Sequence, residues 1–233
     1  MCGRYNVTPD AEAFLAAFDI TSGLEDLPGR PMFNIAPGDA RRATLVPIVR
    51  DSGDGRELAM VRWPLLPFWA RGKPIRFNTA NAKGETVAEK PTYRAAWRRR
   101  RCLVPAHGYY EWQKTAGRGN KQPFHLGLRG GALFAFGGLW DRSQAKEEEA
   151  IESCTIVTTE PNAALRTLHD RMPVIVPAAG YEDWLTGSTE DAARWIRPLA
   201  AEHMEWHPVS TYVNNPQHDD PRCIEPLTGA SAG

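Results

Sequence analysis

Apolar and polar residues alternate along this chain in two rhythms, one of period two and one near 3.6. Thr8-Pro9-Asp10 supplies a cap residue, a proline at the first helical position and an early acid. A helix is expected after it from Ala11 to Phe18, with Phe14, Leu15 and Phe18 on one face. Leu27 to Gly38 is rich in Pro and Gly and reads as loop. Strand patterns follow at Ala43–Val49 and Glu57–Trp63, joined by Asp51-Ser52-Gly53-Asp54-Gly55. Pro64 to Pro74 reads as a loop carrying Phe68 and Trp69, and Pro91 to Arg100 as a short helix. Further strands are expected near Cys102–Pro105, Gly108–Gln113, Phe124–Leu128 and Leu133–Leu139, with Gly-rich turns at 117–119 and 130–131. Ser153–Thr159 is another strand, Pro161–His169 a helix and Met172–Val176 a strand. Helices then fit Tyr181–Leu185 and Thr189–Ile196, the second capped by Ser188 or Thr189, and Met204–Tyr212 is a last strand. Many strands with short helices between them predict an α+β fold, mainly antiparallel curved sheet with short flanking helices, in a single domain over 1–213. The polar, Pro-rich stretch 214–233 is expected to be a flexible tail.

Composition narrows the function. The 233 residues carry no net charge, with 28 basic and 28 acidic side chains, so nucleic-acid binding would have to use a local patch. The four cysteines, at 2, 102, 154 and 223, lack the short spacing of a zinc knuckle or redox pair. No glycine-rich phosphate loop or dinucleotide fingerprint is present, and no internal repeat. Without a signal peptide or an apolar run near 18 residues, the expected location is the cytoplasm, with reduced thiols and no membrane contact.

Cys2 is the strongest chemical signal. A small residue at position 2 favours removal of Met1, and the mature chain would begin Cys2-Gly3-Arg4-Tyr5. An α-amine and a thiol on adjacent carbons both titrate near neutrality and can both act as nucleophiles. With an aldehyde they give a Schiff base that the thiol closes to a thiazolidine. With an acyl group the thiol attacks and the amine serves as base. A cysteine packed as a small hydrophobe is the plainer alternative.

Four other segments set a polar group among apolar neighbours. Asn34 precedes a Pro-Gly turn and is either turn chemistry or a site contact. Asn81 sits in a polar stretch, Phe77 to Thr86, that suits a loop lining a site or a solvated loop. Glu111 shares a strand face with Tyr109 and Gln113, whereas Tyr110 and Trp112 point the other way. Among aromatics its carboxyl is open to desolvation and acid–base work; an exposed strand glutamate is the alternative. His169, in His169-Asp170-Arg171-Met172-Pro173, is a scaffold-held base that Asp170 or Arg171 can tune, or a helix-end cap. Arg98 to Arg101 end a helix and cannot all face one partner, since successive positions turn by about 100°. Two suit a solvated face, and the others join Lys73, Arg76 and Lys83 as a phosphate-binding stripe. Phe68, Trp69 and Trp112 are candidates for stacking on bases.

Together these segments resemble one family closely, the SOS response-associated peptidase (SRAP) family. The resemblance rests on Met1-Cys2-Gly3-Arg4-Tyr5, Phe33-Asn34-Ile35-Ala36-Pro37 and Asn81-Ala82-Lys83-Gly84-Glu85-Thr86. It continues through Arg101–Pro105, Gly108–Trp112, Lys121–Phe124, Thr155–Thr159, His169–Pro173 and Trp206–Ser210, in the family's order. It implies a SRAP-like fold and covalent capture of abasic sites in single-stranded DNA and at single-strand/duplex junctions. By resemblance Cys2 is the nucleophile, Asn34 and Asn81 contact the site, and Glu111 and His169 are the acid–base groups. Arg4, Lys83, Arg98 and Arg99 are then expected along the DNA, with Phe68, Trp69 and Trp112. Lys83 stands where the family often has arginine; it keeps the charge and loses the bidentate fork. A monomer needing no metal or organic cofactor, associated with the nucleoid at damage, is expected, with peptidase, hydrolase or lyase chemistry and reversal as further activities. Two rivals remain open: a glutamine amidotransferase-like hydrolase with an N-terminal cysteine, and a non-catalytic reader of modified bases.

Overall fold

A computed structural model describes residues 3–38, 43–113, 121–144 and 149–227. Cys2, the turn expected at 117–119 and the last six residues lie outside the described residues. The chain forms β1 (Tyr5–Val7), α1 (Ala11–Phe18), β2 (Ile20–Ser22), β3 (Met32–Ile35), β4 (Thr44–Asp51) and β5 (Arg56–Trp63). Next come β6 (Asn81–Lys83), α2 (Arg94–Arg99), β7 (Arg101–Ala106), β8 (Gly108–Gln113), β9 (Gln122–Leu128), β10 (Phe134–Ser143) and β11 (Ile151–Thr159). The last elements are β12 (Met172–Pro173), β13 (Ile175–Val176), α3 (Tyr181–Leu185), α4 (Thr189–Ala193) and β14 (Met204–Pro208), with single 3-10 turns between several of them.

Two sheets result. In the larger, β11, β10, β7, β4 and β5 pair in that order, and β5 pairs back to β11 at Arg62 and Ser153, so the sheet closes on itself. Closure leaves these strands no free edge within the ring. The smaller sheet runs β14-β9-β8-β1-β3, antiparallel throughout. Tyr5 joins the two: its ring lies 5.6 Å from Trp63 and 5.8 Å from Phe136, both edge-on. Such pairs add about 0.5–1.5 kcal/mol beyond their buried area. Gly137 in β10 allows Trp184 of α3 to pack there, because a Cβ would fall 2.6 Å from the indole. The alternation expected for β8 is present. Tyr109 enters the main core, and Tyr110 enters a second cluster with Val209, Val213 and Cys223.

Several boundaries differ from the sequence reading. Asp10 caps α1 by accepting from Ala13 N at 3.0 Å, so Pro9 lies outside the helix. Leu15 is 43% exposed, because it lies a quarter-turn off the Phe14–Phe18 face. The 27–38 stretch contains strand β3, drawn out by pairing with β1. Pro161–His169 holds only a 3-10 turn, Leu165–Thr167, with Asn162 Oδ1 accepting the Leu165 N–H at 3.0 Å ahead of it as a cap would. The last strand stops at Pro208, and Ser210 caps a 3-10 turn over Thr211–Asn214. Ser188 caps α4 in a capping box with Asp191.

The expectation of a flexible tail from 214 also needs correction as far as Leu227. Asp219 accepts from Phe33 N at 2.6 Å, Asn34 N at 3.1 Å and Arg30 at 2.6 Å. Cys223 is buried, and Val209 bridges to Pro226. The polar composition that suggested a tail is consumed in these hydrogen bonds.

Candidate active site

β8 carries Glu111 into the interior, where it is 4% exposed. Burial disfavours the charged form and pushes its carboxyl from an ordinary 4.5 up to about 7. His169 Nε2 lies 3.9 Å from Glu111 Oε2. That gap exceeds a direct hydrogen bond. Two neighbours compete for His169 Nδ1. Arg171 N–H donates to it at 3.0 Å, which fits a neutral ring with its hydrogen on Nε2. Asp170 Oδ1 lies 2.9 Å away on a largely exposed side chain.

The segment bearing His169 is fixed by Arg171. Its guanidinium grips Glu85 with two bonds of 2.5 and 2.8 Å and donates to Thr158 O at 2.7 Å. The Arg171 hydrogen bond holds the Glu85 carboxyl below its ordinary value. β6 runs parallel to β11 with Asn81 opposite Ile156 and Lys83 opposite Thr158. β12 pairs with the same end of β11. One strand therefore gathers Asn81, Lys83 and the His169 segment. Asn81 Nδ2 donates to Ala80 O at 3.0 Å, and Tyr93 OH donates to Asn81 O at 3.2 Å. Lys83 is exposed. The sequence reading gives Arg171 a part in tuning His169 and Glu85 none of its own; the bidentate pair is the signal that marks both as the tie between the two segments.

β1 lies antiparallel to β8, with Tyr5 opposite Tyr109 and Tyr110 N donating to Arg4 O at 2.9 Å. Arg4 is thus tied to Tyr110, the residue before Glu111 in β8. On the other face of β8 a second cluster forms. Arg4 donates to Asn34 Oδ1 at 2.9 Å, Val213 O at 2.7 Å and Asn214 O at 3.1 Å, and lies 5.8 Å from the Trp112 ring. Trp112 Nε1 donates to Asn214 Oδ1 at 2.7 Å. Asn34 is buried, and its Nδ2 donates to the carbonyls of Val213, Asn215 and His218. Its amide is thus engaged within the protein, holding Arg4 and the 213–218 segment.

Phe68 and Trp69 stand apart on an exposed loop, 50% and 41% accessible. Arg98 and Arg99 are exposed on α2. Arg100 pairs with Asp141 at 2.5 Å, and Asp141 also accepts from Phe68 N at 2.8 Å, which sets the end of α2 beside that loop. Arg101 is structural: its buried guanidinium binds the carbonyls of Trp97, Trp184 and Gly187.

Fold and site define a β-rich single-domain protein with a buried glutamate and a histidine brought together from distant segments. Residues 1–216 match the model of the SOS response associated peptidase (SRAP) family, and the chain belongs to that family. It is 33% identical over 228 residues to the abasic site processing protein YoqW of Bacillus subtilis (strain 168), covering 97% of this chain and 99% of that one. The abasic site processing protein HMCES of Rattus norvegicus is 30% identical over 208 residues, 76% of this chain and 58% of the relative. A crystal structure of a Bacteroides thetaiotaomicron protein superposes with a TM-score of 0.83 at 26% identity, over 97% of this chain and all of that one. A Bordetella bronchiseptica protein gives 0.75 at 27% identity, over 90% and 100%.

Proposed function

We propose that this protein captures abasic sites in single-stranded DNA, and at single-strand/duplex junctions, by covalent attachment to Cys2 once Met1 has been removed. The observation that carries the reading is the Glu111–His169 pair, 3.9 Å apart, beside the strand that leads back to Cys2. The relatives' names, abasic site processing proteins, supply the substrate class. His169, as imidazolium, donates its Nε2 proton to the ring oxygen of the closed sugar while the anomeric hydroxyl gives its own proton to water, freeing the C1′ aldehyde and leaving His169 neutral. The Cys2 amine adds to that carbon. Glu111, as carboxylate, takes the proton the nitrogen sheds and returns it to the departing hydroxyl, which leaves as water. The thiol then adds across the C=N bond, sulfur to carbon and its proton to nitrogen, and the thiazolidine ring closes. A carboxyl near 7 serves both directions of transfer at neutral pH. Asn81 orients the sugar, and Lys83, Arg98, Arg99 and Arg4 lie along the phosphates, with Phe68, Trp69 and Trp112 available to bases. Asn34 acts by holding Arg4.

The test is mature protein mixed with single-stranded abasic DNA and run on a denaturing gel. A heat-stable band is expected, and its absence with fully processed protein sinks the proposal. Cys2→Ala keeps the amine, so it should give only an adduct that borohydride must trap. The same heat-stable band from Cys2→Ala would refute the thiazolidine.

A further inference from the structure

We infer that the crease where the two sheets part, bounded by Leu128, Phe134 and Trp195, is a docking site for an acidic peptide of a partner protein. Apolar side chains of the peptide enter the crease, and its carboxylates meet Arg129 and Arg197. β9 belongs to the smaller sheet and β10 to the larger, and residues 129–133 carry the chain from one to the other. A cavity of about 950 Å³ opens at this crossing. It lies at the upper end of the range of about 300–1,000 Å³ typical of ligand clefts. Leu128 is four residues beyond Phe124, the partner of Glu111 in β8, which sets the crease about 13 Å further along the strand. Asn81, Lys83, Glu111 and His169 take no part in its lining, so it stands apart from the capture chemistry.

The floor is apolar and the mouth is open. Phe134, Ile175, Val176 and Tyr181, all buried, close the bottom, and half-buried Trp195 and Leu199 form a wall. Ala16, Ala132, Ala178 and Ala200 stand exposed around them. A lysine or arginine at those positions could lay its stem over the floor; alanine has nothing to lay. A cleft with so low a rim suits an extended chain that sets its side chains into it, as in other peptide-binding grooves.

Charge selects the occupant. Arg129 and Arg197 line the mouth, and both are exposed. Arg129 is held by neutral acceptors: its Nε donates to Glu202 O and its Nη2 to Met204 O, each at 3.2 Å. The Arg197 guanidinium lies 5.3 Å from the Trp195 ring. That ring is itself fixed, since Trp195 Nε1 donates to Asp183 Oδ2 at 3.1 Å and Gly180 leaves room for the indole, where a Cβ would fall 2.6 Å away. Both cations are therefore positioned, yet among the described residues neither forms an ion pair with a carboxylate. Glu202 is the single acid in the lining. Positioned cations beside an apolar cleft attract an apolar segment flanked by Asp or Glu and repel a basic one. A lipid surface would call for a broad basic face, whereas this chain has no net charge.

The experiment measures anisotropy of labelled octapeptides in which Phe, Trp or Leu alternates with Asp, using the full-length protein without DNA. The same set with Lys in place of Asp is the control. The acidic set should bind at least about tenfold more tightly than the control, by a margin that shrinks as salt rises. Arg197→Glu should weaken acidic binding by about tenfold or more, and Ala132→Trp, which covers the floor, should abolish it. Both positions are exposed and outside the capture site, so each variant should melt and capture abasic DNA as wild type does. No binding of the acidic set, equal binding of the Lys set, or unchanged affinity in both variants overturns the inference even where abasic DNA is captured. Sedimentation of the protein alone as a dimer that Arg197→Glu dissociates would assign the crease to a second copy and overturn it too. Conversely, Arg197-dependent peptide binding with no covalent product on abasic DNA leaves the docking site standing and refutes the proposed capture.

Discussion

Glu111→Gln should make this protein more stable as it makes it less active. The buried carboxyl is pushed from 4.5 to about 7, so the folded protein holds this proton more tightly than the unfolded chain does. Below about pH 4.5 the group is neutral in both states and has no effect. As pH rises the unfolded chain ionises first, and folding is progressively penalised until the folded carboxyl also ionises above about 7. At about 1.4 kcal/mol per tenfold change in proton affinity, the full penalty is about 3 kcal/mol. Glutamine keeps the shape and removes the ionisation. For a domain of this size each kcal/mol moves the melting temperature by about 2–4 °C. The melting temperature of Glu111→Gln, relative to wild type, should therefore climb between pH 4.5 and 8 by roughly 6–12 °C. Calorimetric melts at half-unit pH steps measure it. Capture of abasic DNA should fall by about 10²-fold, with the largest deficit above pH 7, where wild type presents a carboxylate. Melting curves that stay parallel across this range would show that Glu111 does not titrate near neutrality, and the acid–base assignment would fall with it.

The neighbouring histidines work in the opposite direction. Burial, with His207 and His107 nearby, pushes His125 from 6.5 down to about 3, and its Nε2 lies 2.8 Å from Asn6 Oδ1. Its stability contribution is present above pH 6.5 and is lost as pH falls toward 3. His125→Gln should flatten the decline in melting temperature between pH 6.5 and 4, and an unchanged decline would refute the assignment. Asn34→Ala removes the amide that binds three carbonyls and the Arg4 guanidinium. We expect a loss of roughly 2–3 kcal/mol in urea unfolding and new proteolytic cleavage between Tyr212 and Arg222; cleavage at the wild-type rate would show that Asn34 does not hold this segment.

The sequence by itself determined the elements whose signal is local. β-rich runs mark β5, β8 and β11, and the alternation expected for β8 correctly sends Tyr109 to one face and Tyr110 to the other. The ordered motifs identify the family before any coordinates, because each residue's chemistry is written in its side chain. Three-residue strands such as β1, β2 and β6 escaped, since a run that short has no readable period and becomes a strand only when a partner supplies hydrogen bonds. The same limit applies to sites. Glu111 and His169 are 58 positions apart, and nothing local sets their 3.9 Å separation. Asn34 looks like turn chemistry until the 213–218 carbonyls close on its amide. Arg101 looks like its exposed neighbours until Trp97, Trp184 and Gly187 surround it. Side-chain identity fixes what a group can do. Whether it is buried, charged or engaged depends on what distant segments bring against it, and only the tertiary structure decides that.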